Sequence, residues 1–344
     1  MRIVFFGIPH MGGTYTVYRH LRAGLGVRGH SVTWLGAGAA DAARLARSPW
    51  PEEMRFGTIV APDETCPPLV AGALVRHLED TGAECVIVNV LADQVQTNVA
   101  RYLDARVLRI MLVHNVTPGT YAAAAAIGAH VHATIGVSPR IRSDLVRRFG
   151  FDPRLTHAIT NAIEPGPPPV RPLRDANAPL RLVWLGRIED AAKGVFWLPR
   201  ILERLTDVPL HLTVAGSGPD EAELRRRCAP LGDRVRFVGA VPADGVGAVL
   251  ADHDVLLFPS RFEGFGLALA EAMAMGCVPV ASLLPGVTDH VVEHDRTGLL
   301  FPVADVAQSA RQVRRLAGDA RLLADLSVAA QEAARRCFSV DAQG

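Results

Sequence analysis

Residues 260–282 read SRFEGFGLALAEAMAMGCVPVAS, with Glu263 and Glu271 eight positions apart in a stretch otherwise almost free of charge. A carboxylate accepts two hydroxyl hydrogens at once, so acids placed where a ligand approaches suit neutral hydroxyls. The glycines of GFG let the backbone come close to a ligand, and a helix start behind them presents free N–H groups and a positive dipole. That end suits an anion such as a phosphate. Phosphate and vicinal hydroxyls together describe a nucleotide sugar. The competing reading is a solvated helix start with two incidental acids.

A second segment, LVWLGRIEDAAKGVFWLPRIL (182–202), reads as strand, loop and helix. Arg187 directly follows the strand, and Lys193 precedes Gly194 at the next helix start. Arg as a fork and Lys as a point charge at one strand's carboxyl end suit a diphosphate. Lys193 is the only lysine among 36 basic residues, in a chain that otherwise uses Arg throughout. A surface Arg and Lys is again the competing reading.

These residues need a scaffold that brings strand ends together. Short apolar runs bounded by turn residues alternate with helical periodicity: strands at 2–7, 31–36, 85–90, 107–115 and 133–138, helices at 14–30, 97–105 and 139–149. Residues 164–179, EPGPPPVRPLRDANAP, are Pro-rich and aperiodic, the mark of a linker. The alternation then restarts, with strands at 180–186, 211–216, 234–239, 253–259 and 277–282 and a helix at 266–276 closed by Gly276. Strand–helix alternation of this kind predicts parallel sheets. Ligands bind outside the carboxyl ends of such strands. The domains are read as 1–165, a linker at 166–179, a second domain at 180–330 and a tail at 331–344.

The composition excludes several classes. The 344 residues are enough for two domains, and a formal net charge of +1 offers no field for nucleic acid. No apolar run has membrane-spanning length, and MRIVFFGIPHMGG reads as a first strand and its turn rather than a leader. Five scattered cysteines without C-x-x-C indicate neither a disulfide framework nor a zinc ribbon, and a cytoplasmic setting fits. HVVEH (290–294) matches an inverted zinc-protease pattern, but DRTG ends the segment at once. The basic amphipathic stretch PRIRSDLVRRF (139–149) could lie on an anionic membrane, though an ordinary surface helix is favoured. His130 and His132 on their apolar run read as structural.

GRIEDAAKG, VAGSGPDEAEL, VRFVGAV and PSRFEGFGLALAEAMAMGCVPVAS together resemble the retaining family-4 glycosyltransferases (glycosyltransferase group 1) over nearly all of 180–303. The likeness is thinner at MGGTYTVYRHLRAGLGVRGHSV, LVHN and IGVSPRIRSDLVRRFG. It implies the GT-B fold, two Rossmann-like α/β domains facing a central cleft, with the second domain holding a nucleotide-sugar donor and the first an acceptor. It also implies roles. Arg187 and Lys193 hold the donor's diphosphate, Glu271 the ribose hydroxyls and Glu263 the transferred sugar. The amides around Phe265, Gly266 and Leu267 meet phosphate and sugar. His114, ending the fourth strand of the first domain, faces the reacting centre, and Gly12 and Gly13 line the cleft. Backbone near Val238–Val241 bears on the choice between UDP and GDP. Two departures stand out: Thr288 and Asp289 where the family often reads G-x-P-E, and a stop at FSVDAQG where relatives usually continue into a helix crossing back to the first domain.

The resulting expectation is a retaining transferase passing a sugar from a nucleoside diphosphate to an acceptor hydroxyl. The departing phosphate takes the acceptor's proton, and no cofactor or metal is required. The metal-free reading takes the chain to carry no Asp-x-Asp pair. The alternatives are a sugar-nucleotide epimerase or phosphorylase of the same fold, and a catalytically idle nucleotide-sugar-binding subunit.

Overall fold

Two all-parallel sheets organise the chain. The computed structural model describes residues 1–340 apart from 11, 49, 91–93, 165, 168, 170–174, 176 and 177. The described residues divide into two compact units, Met1–Ala162 and from Ile163 onward. Most of the Pro-rich linker read at 166–179 lies outside the described residues, as do 341–344.

The first unit contains strands β1 (Arg2–Phe6), β2 (Ser31–Ala37), β3 (Gly57–Val60), β4 (Cys85–Asn89), β5 (Leu108–Val113), β6 (Ala133–Gly136) and β7 (Thr156–Ala158). Between them run α1 (Gly13–Val27), α2 (Gly38–Leu45), α3 (Pro67–Asp80), α4 (Gln94–Val99), α5 (Pro118–Ile127) and α6 (Pro139–Phe149). The sheet order is β3-β2-β1-β4-β5-β6-β7. Its direction of winding therefore reverses between β1 and β4. α5 and α6 start at hydroxyl caps, Thr117 and Ser138, each followed by a proline that fits the first helical position.

The second unit contains β8 (Leu180–Leu185), β9 (Leu210–Ala215), β10 (Val235–Gly239), β11 (Val255–Phe258), β12 (Val278–Leu283) and β13 (Leu299–Pro302) in the order β10-β9-β8-β11-β12-β13. Its helices are α7 (Asp190–Lys193), α8 (Trp197–Leu202), α9 (Glu221–Cys228), α10 (Ala243–Ala251), α11 (Leu267–Ala274), α12 (Thr288–Val291), α13 (Val306–Gly318) and α14 (Ala320–Phe338). Strands covered on both faces are apolar throughout rather than alternating. Leu182, Val183, Leu256 and Leu257 accordingly have no measurable exposure.

The structure corrects the strand count. β3, β7 and β13 were not expected: β3 (GTIV) and β7 (THA) are half-exposed edge strands with no period to stand out, and β13 is the short run LLFP. Consequently His114 follows the fifth strand of its sheet, not the fourth. The helix expected at 97–105 is instead Gln94–Val99. The unit boundary falls before Ile163 for a local reason: its N–H donates to the Phe338 carbonyl (2.7 Å) and its own carbonyl accepts from Val340 N–H (3.2 Å). Residues 331–338, read as part of a tail, complete α14. Asp319 caps that helix, and Leu323, Leu326, Ala330, Ala334 and Phe338 are buried along one side of it. No helix among the described residues is long and apolar enough to cross a membrane. The five cysteines are free.

Candidate functional site

In the second unit the winding reverses between β8 and β11, so the loops leaving these two neighbours diverge and open a crevice at their carboxyl ends. Arg187 stands on the loop after β8. Its backbone is pinned on both sides: Gly186 N–H donates to Ala215 (3.0 Å), and Ile188 N–H to Ser217 (2.9 Å). A Cβ on Gly218 would come within 2.3 Å of the Ile188 carbonyl oxygen, so glycine alone permits this approach. The Arg187 side chain itself is exposed, with Glu189 3.9 Å away.

Lys193 ends the single turn α7, which Gly194 closes at φ 60°. A side chain on Gly194 would strike the Pro259 carbonyl oxygen at 2.3 Å, so this glycine seats the turn against the loop after β11. There the Lys193 ammonium meets Glu263 Oε1 at 2.5 Å. Ser260 Oγ donates to the same oxygen at 2.8 Å. Glu263 Oε2 has no partner among the described residues. Lys193 and Glu263, read separately from the sequence as a phosphate contact and a sugar contact, are therefore each other's partner.

Beyond them the chain turns into α11. Gly266 adopts φ 91° and supplies no side-chain cap, so the first-turn amides after it, starting at Leu267, carry no capping side chain. Phe265 is 2% exposed and its ring meets Phe338 of α14 edge-on, centroids 5.6 Å apart. The ring anchors the loop, leaving only its amide for a ligand. Glu271 is on α11 and partly buried by surface exposure, while Leu269, Ala270, Ala272 and Met273 beside it in the sequence have no exposure. Its carboxyl has no partner among the described residues, and burial pushes it up to about 7.

Val238 lies on β10, two strands away from β8, and is exposed. The irregular register beside it lets Gly216 N–H reach the Gly239 carbonyl at 2.7 Å. The structure places Val238 at the far side of this sheet, not with the Lys193–Glu263 pair. The remaining predicted residues lie in the first unit. Gly12, φ 153°, precedes α1, its carbonyl accepting from Tyr15 and Thr16, and Gly13 is the first helical residue. His114 follows β5 half-buried; its Nε2 has no partner, and burial lowers its pKa to about 4, so the ring is neutral.

One sequence expectation fails outright. The chain does contain an Asp-x-Asp, Asp252-His253-Asp254. It precedes β11, at the amino end of the sheet and away from the crevice. Arg181 holds it there, bonding Asp254 through its backbone N–H (2.9 Å) and guanidinium (2.8 Å) and pairing with Asp252 at 3.3 Å. The residues that stand where the G-x-P-E pattern would fall close their own loop. Thr288 Oγ1 donates to the Ser282 carbonyl and accepts from Leu284 N–H, both at 2.7 Å, and Asp289 accepts from Gly286 N–H. In HVVEH, His294 Nδ1 accepts from Leu300 N–H at 2.9 Å, a structural use.

Sequence reasoning passed over Ser260, Arg261, Asp190 and Phe338. The first three lie inside the motifs already quoted, where a polar residue beside each chosen one was the available signal. Phe338 gave none.

The described structure matches solved structures over the whole chain. It aligns with Anabaena HepE in complex with UDP and glucose at a TM-score of 0.82, with 18% identity, covering 100% of this chain and 97% of that one. It aligns equally with sucrose-phosphate synthase from Thermosynechococcus elongatus, TM-score 0.82 and 21% identity, covering 100% and 96%. The fold is GT-B. Within it, residues 179–319 match the family model of glycosyl transferases group 1. This stretch contains Arg187, Lys193, Glu263 and Glu271. Among curated proteins, the chain is 34% identical over 160 residues to phosphatidyl-myo-inositol mannosyltransferase of Mycobacterium leprae, covering 45% of this chain and 42% of that protein. It is 33% identical over 136 residues to N-acetyl-alpha-D-glucosaminyl L-malate synthase of Bacillus anthracis, covering 39% and 35%. These alignments thus span less than half the length of either relative.

Proposed function

We propose that this GT-B chain is a retaining glycosyltransferase. It moves a sugar from a nucleoside diphosphate sugar, with UDP or GDP as the nucleotide, to an acceptor hydroxyl. The observation that carries the reading is the grouping of Arg187, the Lys193–Glu263 pair, the uncapped start of α11 and the unpartnered carboxyl of Glu271 around one strand reversal.

Each part has work to do in such a transfer. The bond between the sugar's anomeric carbon and the phosphate oxygen breaks, leaving charge on the diphosphate. Arg187, Lys193 and the first amides of α11 stabilise that charge as it grows. The acceptor oxygen attacks from the face the phosphate leaves, and its proton passes to a phosphate oxygen. No protein nucleophile takes part. Glu263 Oε2 accepts from a hydroxyl of the transferred sugar, while Oε1 keeps Lys193 in register. Glu271 accepts from the ribose diol. Two cations and oriented amides make a divalent metal unnecessary. In the first unit, neutral His114 has a buried, unpartnered Nε2, which this reading assigns to the acceptor.

Slow hydrolysis of a panel of UDP-, GDP- and dTDP-sugars without acceptor tests this, with the anomeric configuration of the released sugar read by NMR before it mutarotates. The retained anomer is expected. Inversion would overturn the mechanism, and tight binding without any hydrolysis would make the chain a binding subunit.

A further inference from the structure

We propose that Arg261 is the positioning residue for Lys193: it fastens the turn that carries the lysine to the loop that carries Glu263. The inference rests on the donor-site reading above. α7 is one turn of four residues. A helix that short does not hold itself together in water. Its shape has to come from outside.

Asp190 is where the outside support arrives. Its N–H donates to Asp220 Oδ2 (2.7 Å), and its Oδ1 accepts the N–H of Phe196 (2.9 Å). The other carboxylate oxygen, Oδ2, accepts from one terminal nitrogen of Arg261 at 2.8 Å, and the Asp190 carbonyl accepts from Arg261 Nε at 3.0 Å. One guanidinium therefore grips both the side chain and the main chain of residue 190. Its face lies 4.0 Å from the centroid of the Trp197 ring. The backbone completes the seam, with the N–H groups of Arg261 and Phe262 both directed at the Ala192 carbonyl (2.8 and 3.4 Å). Only a planar fork can bond two acceptors and stack at the same time, which a lysine could not do. Arg261 has no bond to Lys193 or to Glu263. It acts on both through the seam, fixing where the ammonium and the carboxylate stand. Misplacing a charged group by about 1 Å at a reacting diphosphate costs on the order of a hundredfold in rate.

The chain's single lysine makes the claim directly readable. In the full chain, Arg261→Met and Arg261→Gln are compared with the parent in two assays. The first is turnover of UDP-glucose and GDP-mannose. The second is the rate at which an amine-directed reagent labels Lys193, followed by the mass of the peptide that contains it, without nucleotide. Expected for Arg261→Met are a tenfold to hundredfold loss of turnover and several-fold faster labelling, as the ammonium leaves Glu263. Arg261→Gln, which keeps one donor, falls between. Parent-like turnover with parent-like labelling overturns the proposal, and so does lost turnover with unchanged labelling. Should both variants fail to fold, Asp190→Asn turns an amide against the guanidinium from the other side and is expected to accelerate labelling in the same way; unchanged labelling there overturns the proposal too. If the parent neither binds nor turns over either sugar nucleotide, the donor-site reading fails, and the labelling comparison still decides the role of Arg261.

Discussion

Replacing Glu271 by Gln should separate two effects of pH that one carboxyl controls. Burial raises this group from 4.5 to about 7. The folded state therefore holds its proton more tightly than the unfolded state does. By linkage, stability is undiminished below about pH 4.5, declines as pH rises, and reaches its full deficit above about pH 7. A shift of this size corresponds to about 3 kcal/mol at pH 8, at 1.36 kcal/mol per unit. Glu271→Gln removes that deficit. It should melt roughly 6–12 °C above the parent at pH 8, taking about 2–4 °C per kcal/mol, and coincide with it near pH 4.5. Binding runs the other way. The ionised carboxyl is the form that accepts from a ribose diol, and only about a tenth of it is ionised at pH 6 against nearly all at pH 8. Affinity for a nucleotide sugar, whose diphosphate has no proton to lose in this window, should thus rise about tenfold from pH 6 to pH 8. The matching free energy is about 1.4 kcal/mol. Calorimetry in buffers of different ionisation enthalpy should also detect a released proton. Glu271→Gln should bind more weakly and show neither trend. A parent whose affinity is flat across this range, or a variant no more stable at pH 8 than at pH 4.5, would refute the reasoning.

Lys193→Ala should reduce turnover by about a hundredfold or more, as loss of a preorganised charge typically does. It should also cost about 1–3 kcal/mol of stability, because Glu263 is left 10% exposed with only Ser260 as partner; adding Glu263→Ala should restore the melting temperature and not the activity. Turnover should be unchanged after exhaustive dialysis against EDTA, and a rate that collapses and returns with manganese would mean a bound ion neutralises the diphosphate. Phe338→Ala should cost about 3–5 kcal/mol of stability and raise the KM for the sugar nucleotide by loosening Phe265; an unchanged KM would show that the aromatic contact does not govern the loop.

Much of the fold could be read in advance because parallel strands buried on both faces write themselves as continuous apolar runs. RIVFF, CVIVN and VLLF are visible without any structure. GTIV and THA are not, since a half-exposed edge strand of three or four residues has no period to detect. Arg187, Lys193, Glu263 and Glu271 could be picked out as candidates for a different reason. Arg187 directly follows a recognisable strand, Lys193 is the single lysine of the chain, and Glu263 and Glu271 are acids in a stretch otherwise almost free of charge. Their partnership was not legible. Nothing in a one-dimensional string says that Lys193 reaches Glu263, because the contact depends on Gly194 passing beneath Pro259. The Asp252–Asp254 pair shows the converse: its spacing is that of a metal-binding motif, and only its position before β11 and its bonds to Arg181 reveal a structural role.

The strap formed by Ile163 with Phe338 and Val340 bears on the order in which the molecule is made. The first unit has all of its strands once β7 has left the ribosome. The second unit begins at a residue whose hydrogen bonds wait for the far end of α14, and Phe265 waits for the ring of Phe338. The loop that carries Phe265 thus gains its full packing only after residue 338 has been made. A ribosome that stalls between residues 302 and 338 would leave a second unit that has its strands but not the aromatic support under the loop of Phe265. Such an intermediate exposes apolar surface from α11, so the interval between the synthesis of residue 274 and that of residue 338 is when a chaperone has most to protect.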